Sequence, residues 1–325
     1  MKKFLMGLSA LLCCQAIAQP QVSVAPYSGG RQAAVSYTFD DGLQDQFTLA
    51  YPELKKHGLR ATFAVIGSKV GGTIHSSQDK AMGISGSPAM TWDMLRQLAA
   101  DGHEISSHGW QHKKVQKLSA EELRYEVLHN DTVIFQQTGH FPRTYVFPGN
   151  SRDSATLAYC MNDRVGCRTF QIAIGSKRNT EWLNRWVDGL LEKGEWGVGM
   201  THGIATGYDH FPDPSELWRH WDYVAAMQDR LWVAPLCEVV AYVKERDDVK
   251  LSINSTKRGF TVDIRTSLDP RIFTQPLTLI IDGSVNSATQ NGRQLQPYHK
   301  DGNTLIDIDP HGGRIICLKS QRYVK

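Results

Sequence analysis

The chain is poor in cysteine, in net charge and in long apolar runs, and each shortage excludes a class of protein. Six cysteines occur in 325 residues. Cys13 and Cys14 fall in the N-terminal apolar stretch, and Cys160, Cys167, Cys237 and Cys317 show no C-x-x-C spacing. That argues against a cysteine zinc site. A chain of this length can bury a core without covalent staples, so free thiols and one or two disulfides both stay open, with Cys160–Cys167 the nearest pair. Lys and Arg number 36 against 33 Asp and Glu, a formal charge of +3 without basic clusters, which does not suit a nucleic-acid binder. No apolar run reaches the length of a membrane helix.

The longest apolar run, from Phe4 to Cys14, follows Lys2 and Lys3 and precedes Ala16-Ile17-Ala18. A short basic segment, an apolar stretch and a small-x-small site form the layout of a cleavable secretory leader. Leu11 and Leu12 are too bulky before Cys13 for a lipoprotein cleavage site. The expectation is a leader over residues 1–18, cleaved near Ala18, and a mature chain in the periplasm or outside the cell.

From Ala33 to about Arg246 the sequence alternates strand and helix patterns. Strands are expected at residues 33–39, 61–66, 103–107, 144–147, 166–170, 197–201 and 231–234. Helices are expected near 44–57, 92–100, 120–138, 180–193 and 214–229. Ser119, with Glu122 three residues on, has the form of a capping box. Such alternation predicts an α/β fold, a barrel or a doubly wound sheet, over residues 19–248. After Val249 short alternating runs are broken by Asp282-Gly283, Asn291-Gly292 and Asp301-Gly302. Residues 249–325 therefore read as a small all-β, sandwich-like domain, either a structural cap or a carbohydrate binder.

Three runs carry chemistry: Thr38-Phe39-Asp40-Asp41-Gly42, His108-Gly109-Trp110-Gln111-His112 and Met200-Thr201-His202-Gly203. Each follows an expected strand, where β–α folds gather functional side chains. The pair His108 and His112 brings two imidazoles to one side, and two imidazoles with one carboxylate suit zinc or a similar first-row ion with an open position for water. A second carboxylate and a third histidine remain as base and acid.

These runs resemble the NodB-homology polysaccharide deacetylases, carbohydrate esterase family 4, over about residues 33–235. The resemblance implies a distorted, incomplete (β/α) barrel and hydrolysis of N-acetyl or O-acetyl groups on a polysaccharide or its oligosaccharides. It implies one divalent ion, Zn2+ by preference, on Asp41, His108 and His112, with Asp40 as general base and His202 as general acid. Pro148 and Gly149 fall where the family uses a backbone amide for the oxyanion, and Trp186 where it places an aromatic near the acetyl pocket. Two positions depart. Val146 stands where the family has an arginine that orients the base, leaving Arg143, Arg152 and Arg185 as substitutes, and Gly109 stands where a hydroxyl usually steadies the loop. The competing expectation is a carbohydrate- and metal-binding protein that has lost turnover. Protein partners are left open.

Overall fold

The computed structural model describes residues 20–75 and 85–318; the expected leader lies outside them. Nineteen strands are assigned among these residues. They begin with β1 (Val22–Val24), β2 (Ala33–Phe39) and β3 (Thr62–Val65), followed by a short hairpin of β4 (Thr73–Ile74) and β5 (Ser87–Pro88). Next come β6 (Glu104–Ser107), β7 (Thr144–Val146), β8 (Gly166–Arg168), β9 (Ile172–Ala173), β10 (Trp196–Thr201) and β11 (Leu231–Val233). No helix among the described residues is long and apolar enough to cross a membrane.

Eight strands form one parallel sheet in the order β8-β7-β6-β3-β2-β10-β9, with β11 beside the first half of β2. The two edge strands, β8 and β9, are consecutive in the chain and joined by residues 169–171 alone. Four Cα–Cα steps reach at most about 15 Å, whereas the edges of a flat seven-strand path lie about 29 Å apart. The sheet must therefore curl until its edges nearly meet. The result is the expected incomplete barrel, with its gap between β8 and β9.

Strand alternation sorts the side chains. Val35, Tyr37 and Phe39 of β2 face outward into a core shared with Leu183, Val187, Trp221 and Val224 of the surrounding helices. The inward face is polar for much of its length. Glu104 accepts hydrogen bonds from Thr62 Oγ1 (2.9 Å), Thr144 Oγ1 (2.7 Å) and the backbone N–H of Cys237 (2.9 Å). That last bond lands in the first turn of helix Leu236–Asp248, where a carboxylate is favoured. The inside of the barrel is thus held by hydrogen bonds that each need a partner from another element, which makes the packing specific.

The C-terminal strands β12 (Lys250–Thr256), β13 (Gly259–Arg265), β14 (Leu277–Asp282), β15 (Ser287–Gln290), β16 (Arg293–Leu295), β17 (Tyr298–Lys300), β18 (Asn303–Ile308) and β19 (Ile315–Leu318) form two antiparallel sheets. One runs β1-β14-β18-β17 and the other β12-β13-β19-β15-β16. Val22–Val24, expected with the α/β part, pair instead with Leu279–Ile281. A three-residue strand has too little apolar surface to stand alone, and the edge of β14 satisfies its backbone. The cores are also continuous: Phe260, Leu279 and Ile306 pack in one cluster with Trp232, Val239 and Tyr242. Cys160, Cys167, Cys237 and Cys317 are free and buried.

Behind the sheet, His220 is fully buried; its Nε2 meets Tyr37 Oη at 2.7 Å and its Nδ1 meets Asn184 Oδ1 at 2.7 Å. Burial pushes this imidazole down to about 3, against about 6.5 when unfolded. The unfolded chain therefore takes the proton first. The contribution of this group is complete above the unfolded pKa and is lost as pH falls toward the folded one. Between about pH 7 and about pH 4.5, the native chain should lose about 2 kcal/mol more stability than His220→Gln in urea titrations; equal losses would contradict this account.

Candidate active site

All the chemistry-bearing runs emerge at one end of the barrel, because parallel strands point their C-termini the same way. β2 delivers Asp40 and Asp41, β6 leads to His108, β7 to Pro148, and β10 to His202. Asp40 is only 3% exposed. Its two carboxylate oxygens accept from Arg168, Nη1 to Oδ1 at 2.6 Å and Nη2 to Oδ2 at 2.5 Å. Nη1 also donates to Thr38 Oγ1 at 2.8 Å, which fixes the guanidinium plane. Burial alone would raise the Asp40 carboxyl. The charge and hydrogen bonds of Arg168, with His108 and His202 adding to them, hold it well below the usual carboxylate range.

Arg168 resolves the first sequence departure. It lies on β8 directly opposite Val146 of β7 in the strand register, so an arginine one strand over from Val146 reaches Asp40. The three candidate substitutes do other work. Arg143 donates to the Ile272 carbonyl, Arg152 to that of Thr169, and Arg185 pairs with Glu181. The signal was present in the sequence: a charged residue in a short buried strand needs a buried counter-charge.

Asp41 faces the histidine pair. His108 Nε2 lies 3.4 Å and His112 Nε2 3.6 Å from Asp41 Oδ1, an oxygen that is buried and has no hydrogen-bond partner. One ligand atom from each of the three residues falls within 4.8 Å of the others. His108 Nδ1 sits 2.8 Å from the Val146 carbonyl, which makes Nδ1 the donor and leaves the Nε2 lone pair free. Burial, with the neighbouring His108 charge, pushes His112 down to about 4, toward the neutral form that ligates. Asp41 (φ 72°) and His112 (φ 60°) both adopt left-handed backbone, a conformation that costs energy outside glycine and gathers at functional sites. The donor set therefore fits one first-row divalent ion.

The second departure is also compensated. Gly109 has φ 78°, and a Cβ there would lie 2.6 Å from Glu126 Oε1. That same Oε1 accepts from the backbone N–H of Gln111 and of Lys113, both at 2.9 Å, while the Glu126 carbonyl accepts from Trp110 N–H at 2.8 Å. A buried carboxylate from the π-helical turn Tyr125–His129 steadies the loop in place of a hydroxyl. Trp110 packs its ring edge-on to His129 at 4.4 Å and over Gly67.

His202 is half-buried; its ring meets Tyr208 edge-on at 4.8 Å, and its Nδ1 is buried without a hydrogen-bond partner. Pro148–Asn150 form a tight turn after β7, with Gly149 at φ 58°. Trp186 stands apart from this group. A Cβ on Gly197 would lie 2.6 Å from its ring and one on Gly199 3.2 Å. By strand parity those glycines face outward and His202 inward. Trp186 is packing between its helix and the back of β10, because the apolar stripe of Thr180–Lys193 carries it there. Sequence reasoning also missed Asp45 and Gln46, which bind backbone at the ends of the neighbouring strands β2 and β10.

A family model for polysaccharide deacetylase matches residues 28–163. This segment belongs to the polysaccharide deacetylase family. The peptidoglycan-N-acetylglucosamine deacetylase PgdA of Listeria monocytogenes is 30% identical over 111 residues, 34% of this chain and 20% of that protein. The putative polysaccharide deacetylase YxkH of Bacillus subtilis is 30% identical over 111 residues, 33% of this chain and 35% of that protein. The chain thus spans about a fifth to a third of these relatives. Among solved structures, a putative polysaccharide deacetylase from Mycobacterium smegmatis superposes with a TM-score of 0.49 at 14% identity, covering 69% of this chain and 94% of that one.

Breaking the buried pair with Arg168→Met should cost about 3–5 kcal/mol, because it strands the Asp40 charge. Adding Val146→Arg to an Arg168→Val chain should recover part of that loss in urea midpoints. No recovery would mean that the two strand positions are not interchangeable.

Proposed function

We propose that this chain is an exported, metal-dependent deacetylase that removes acetyl groups from an N-acetylated polysaccharide or its oligosaccharides. The observation that carries the proposal is the division of labour between adjacent aspartates. Asp40 is gripped by a guanidinium and kept ionised, while Asp41 presents an unsatisfied oxygen to two imidazoles. The names of the relatives, a peptidoglycan-N-acetylglucosamine deacetylase among them, favour an N-acetyl over an O-acetyl substrate. The leader-like start of the sequence supports export.

Asp41, His108 and His112 would hold the ion, with Zn2+ the best match to two nitrogens and one carboxylate. When bound, such an ion supplies Lewis acidity and lowers the pKa of water toward neutrality. The chain's own residues do the rest. Asp40 takes the proton from the water that attacks the acetyl carbonyl, and Arg168 keeps its two oxygens in one orientation. Pro148 has no N–H, so the backbone donor for the developing oxyanion is Gly149. As the carbonyl re-forms, the C–N bond breaks and His202, as imidazolium, gives its proton to the departing nitrogen. Acetate and a free amine leave. Arg168 weakens the case for a binder that has lost turnover, since it supplies the counter-charge that Val146 cannot.

Acetate release from a panel of N-acetylated glycans and acetylated xylan, with zinc-loaded and chelated protein, tests the reading. Chelator-sensitive release from N-acetylated glycans is expected, and release from neither class would contradict it. Asp40→Asn should retain the ion and lose at least about 100-fold in kcat, whereas His108→Ala should lose both. Unimpaired turnover by Asp40→Asn would remove Asp40 as the base.

A further inference from the structure

We propose that Gln46 and Asp45 are positioning residues that hold His202 opposite Asp40. The proposal rests on the deacetylase reading and adds to it the means by which an acid with no side-chain tether keeps its place. The His202 Nδ1 has no hydrogen-bond partner, and the Tyr208 ring that meets its edge is 53% exposed. The ring's position therefore follows from its backbone.

That backbone is gripped twice. Gln46 is fully buried, and its Nε2 donates to the Asp40 carbonyl at 2.7 Å and to the His202 carbonyl at 2.8 Å. One amide nitrogen carries two hydrogens, so both acceptors are satisfied by a single side chain. Two carbonyls beside one terminal atom also decide the amide orientation, since an oxygen could donate to neither. The Asp40 N–H still pairs with the Thr201 carbonyl at 2.9 Å. Beyond that bond two carbonyls are left without ladder donors, and Gln46 bridges them. Asp45 holds the next turn: its Oδ2 accepts from the N–H groups of Ile204 (2.8 Å), Ala205 (2.9 Å) and Thr206 (3.0 Å). Among the described residues neither side chain hydrogen-bonds to the Asp41 carboxylate or to the His108 and His112 rings, so zinc binding can be read separately from proton delivery.

The separation sets the test. An N-acetylated oligosaccharide expels an amine that needs the acid's proton, whereas 4-nitrophenyl acetate expels a phenolate that does not. Gln46→Ala and Asp45→Ala, zinc-loaded, should lose about 50-fold in kcat on the oligosaccharide with KM changed less than about threefold, and less than about threefold in kcat on the aryl ester. His202→Ala should show the same selectivity, and every variant should bind zinc like the native chain. Asp45 is only half-buried, so Asp45→Ala decides the matter if Gln46→Ala does not fold. Equal losses on both substrates, or none, with His202→Ala still selective, would overturn the clamp alone. A native chain that releases no acetate from N-acetylated glycans would overturn the reading beneath it and the clamp together.

Discussion

A carboxylate buried at the end of β2 has to be matched by a buried cation, and Arg168 meets that need from the edge strand β8. In the sheet order the two strands are four places apart, about 19 Å if the sheet were flat. An arginine side chain cannot cover that distance, so the pair forms only across the interior of a curled sheet. Barrel curvature and the ionised state of Asp40 are thus one constraint. The partial closure that residues 169–171 impose brings Arg168 to Asp40, and the pair ties the β8 edge to the centre of the sheet.

The rest of the cleft is arranged around that pair by backbone contacts. The Val146 carbonyl fixes the tautomer of His108. Glu126 holds the loop between the two histidines, and Gln46 joins the ends of β2 and β10. Asp41 and His112 keep left-handed backbones within this frame. Such conformations persist only where the surroundings over-determine them. Outside the cleft, the β-sandwich shares its core with Trp232 and Tyr242, so it forms part of the support of the barrel.

Much of this was legible in the sequence, and what was not has a common cause. Asp40, Asp41, His108, His112 and His202 stand out as candidates because residue type and short spacing both carry information. The strands were found because buried β runs between turns are distinctive. Arg168 lies 128 residues from Asp40, and Gln46 lies 156 from His202. No local pattern links them, and only the strand order makes them neighbours. Trp186 rested on the resemblance alone, and the outward parity of Gly197 and Gly199 puts its ring behind the sheet. The pairing of β1 with β14 was not legible because nothing in a three-residue strand names its partner.

The central claim is that two imidazoles and one carboxylate at the barrel mouth form a metal site beside an independently ionised base. X-ray absorption at the metal edge of the zinc-loaded full chain tests it most directly. The account predicts one ion per chain with two imidazole nitrogens and at least one oxygen in its coordination shell. An ion without histidine in its shell, or no ion retained after dialysis, would contradict it.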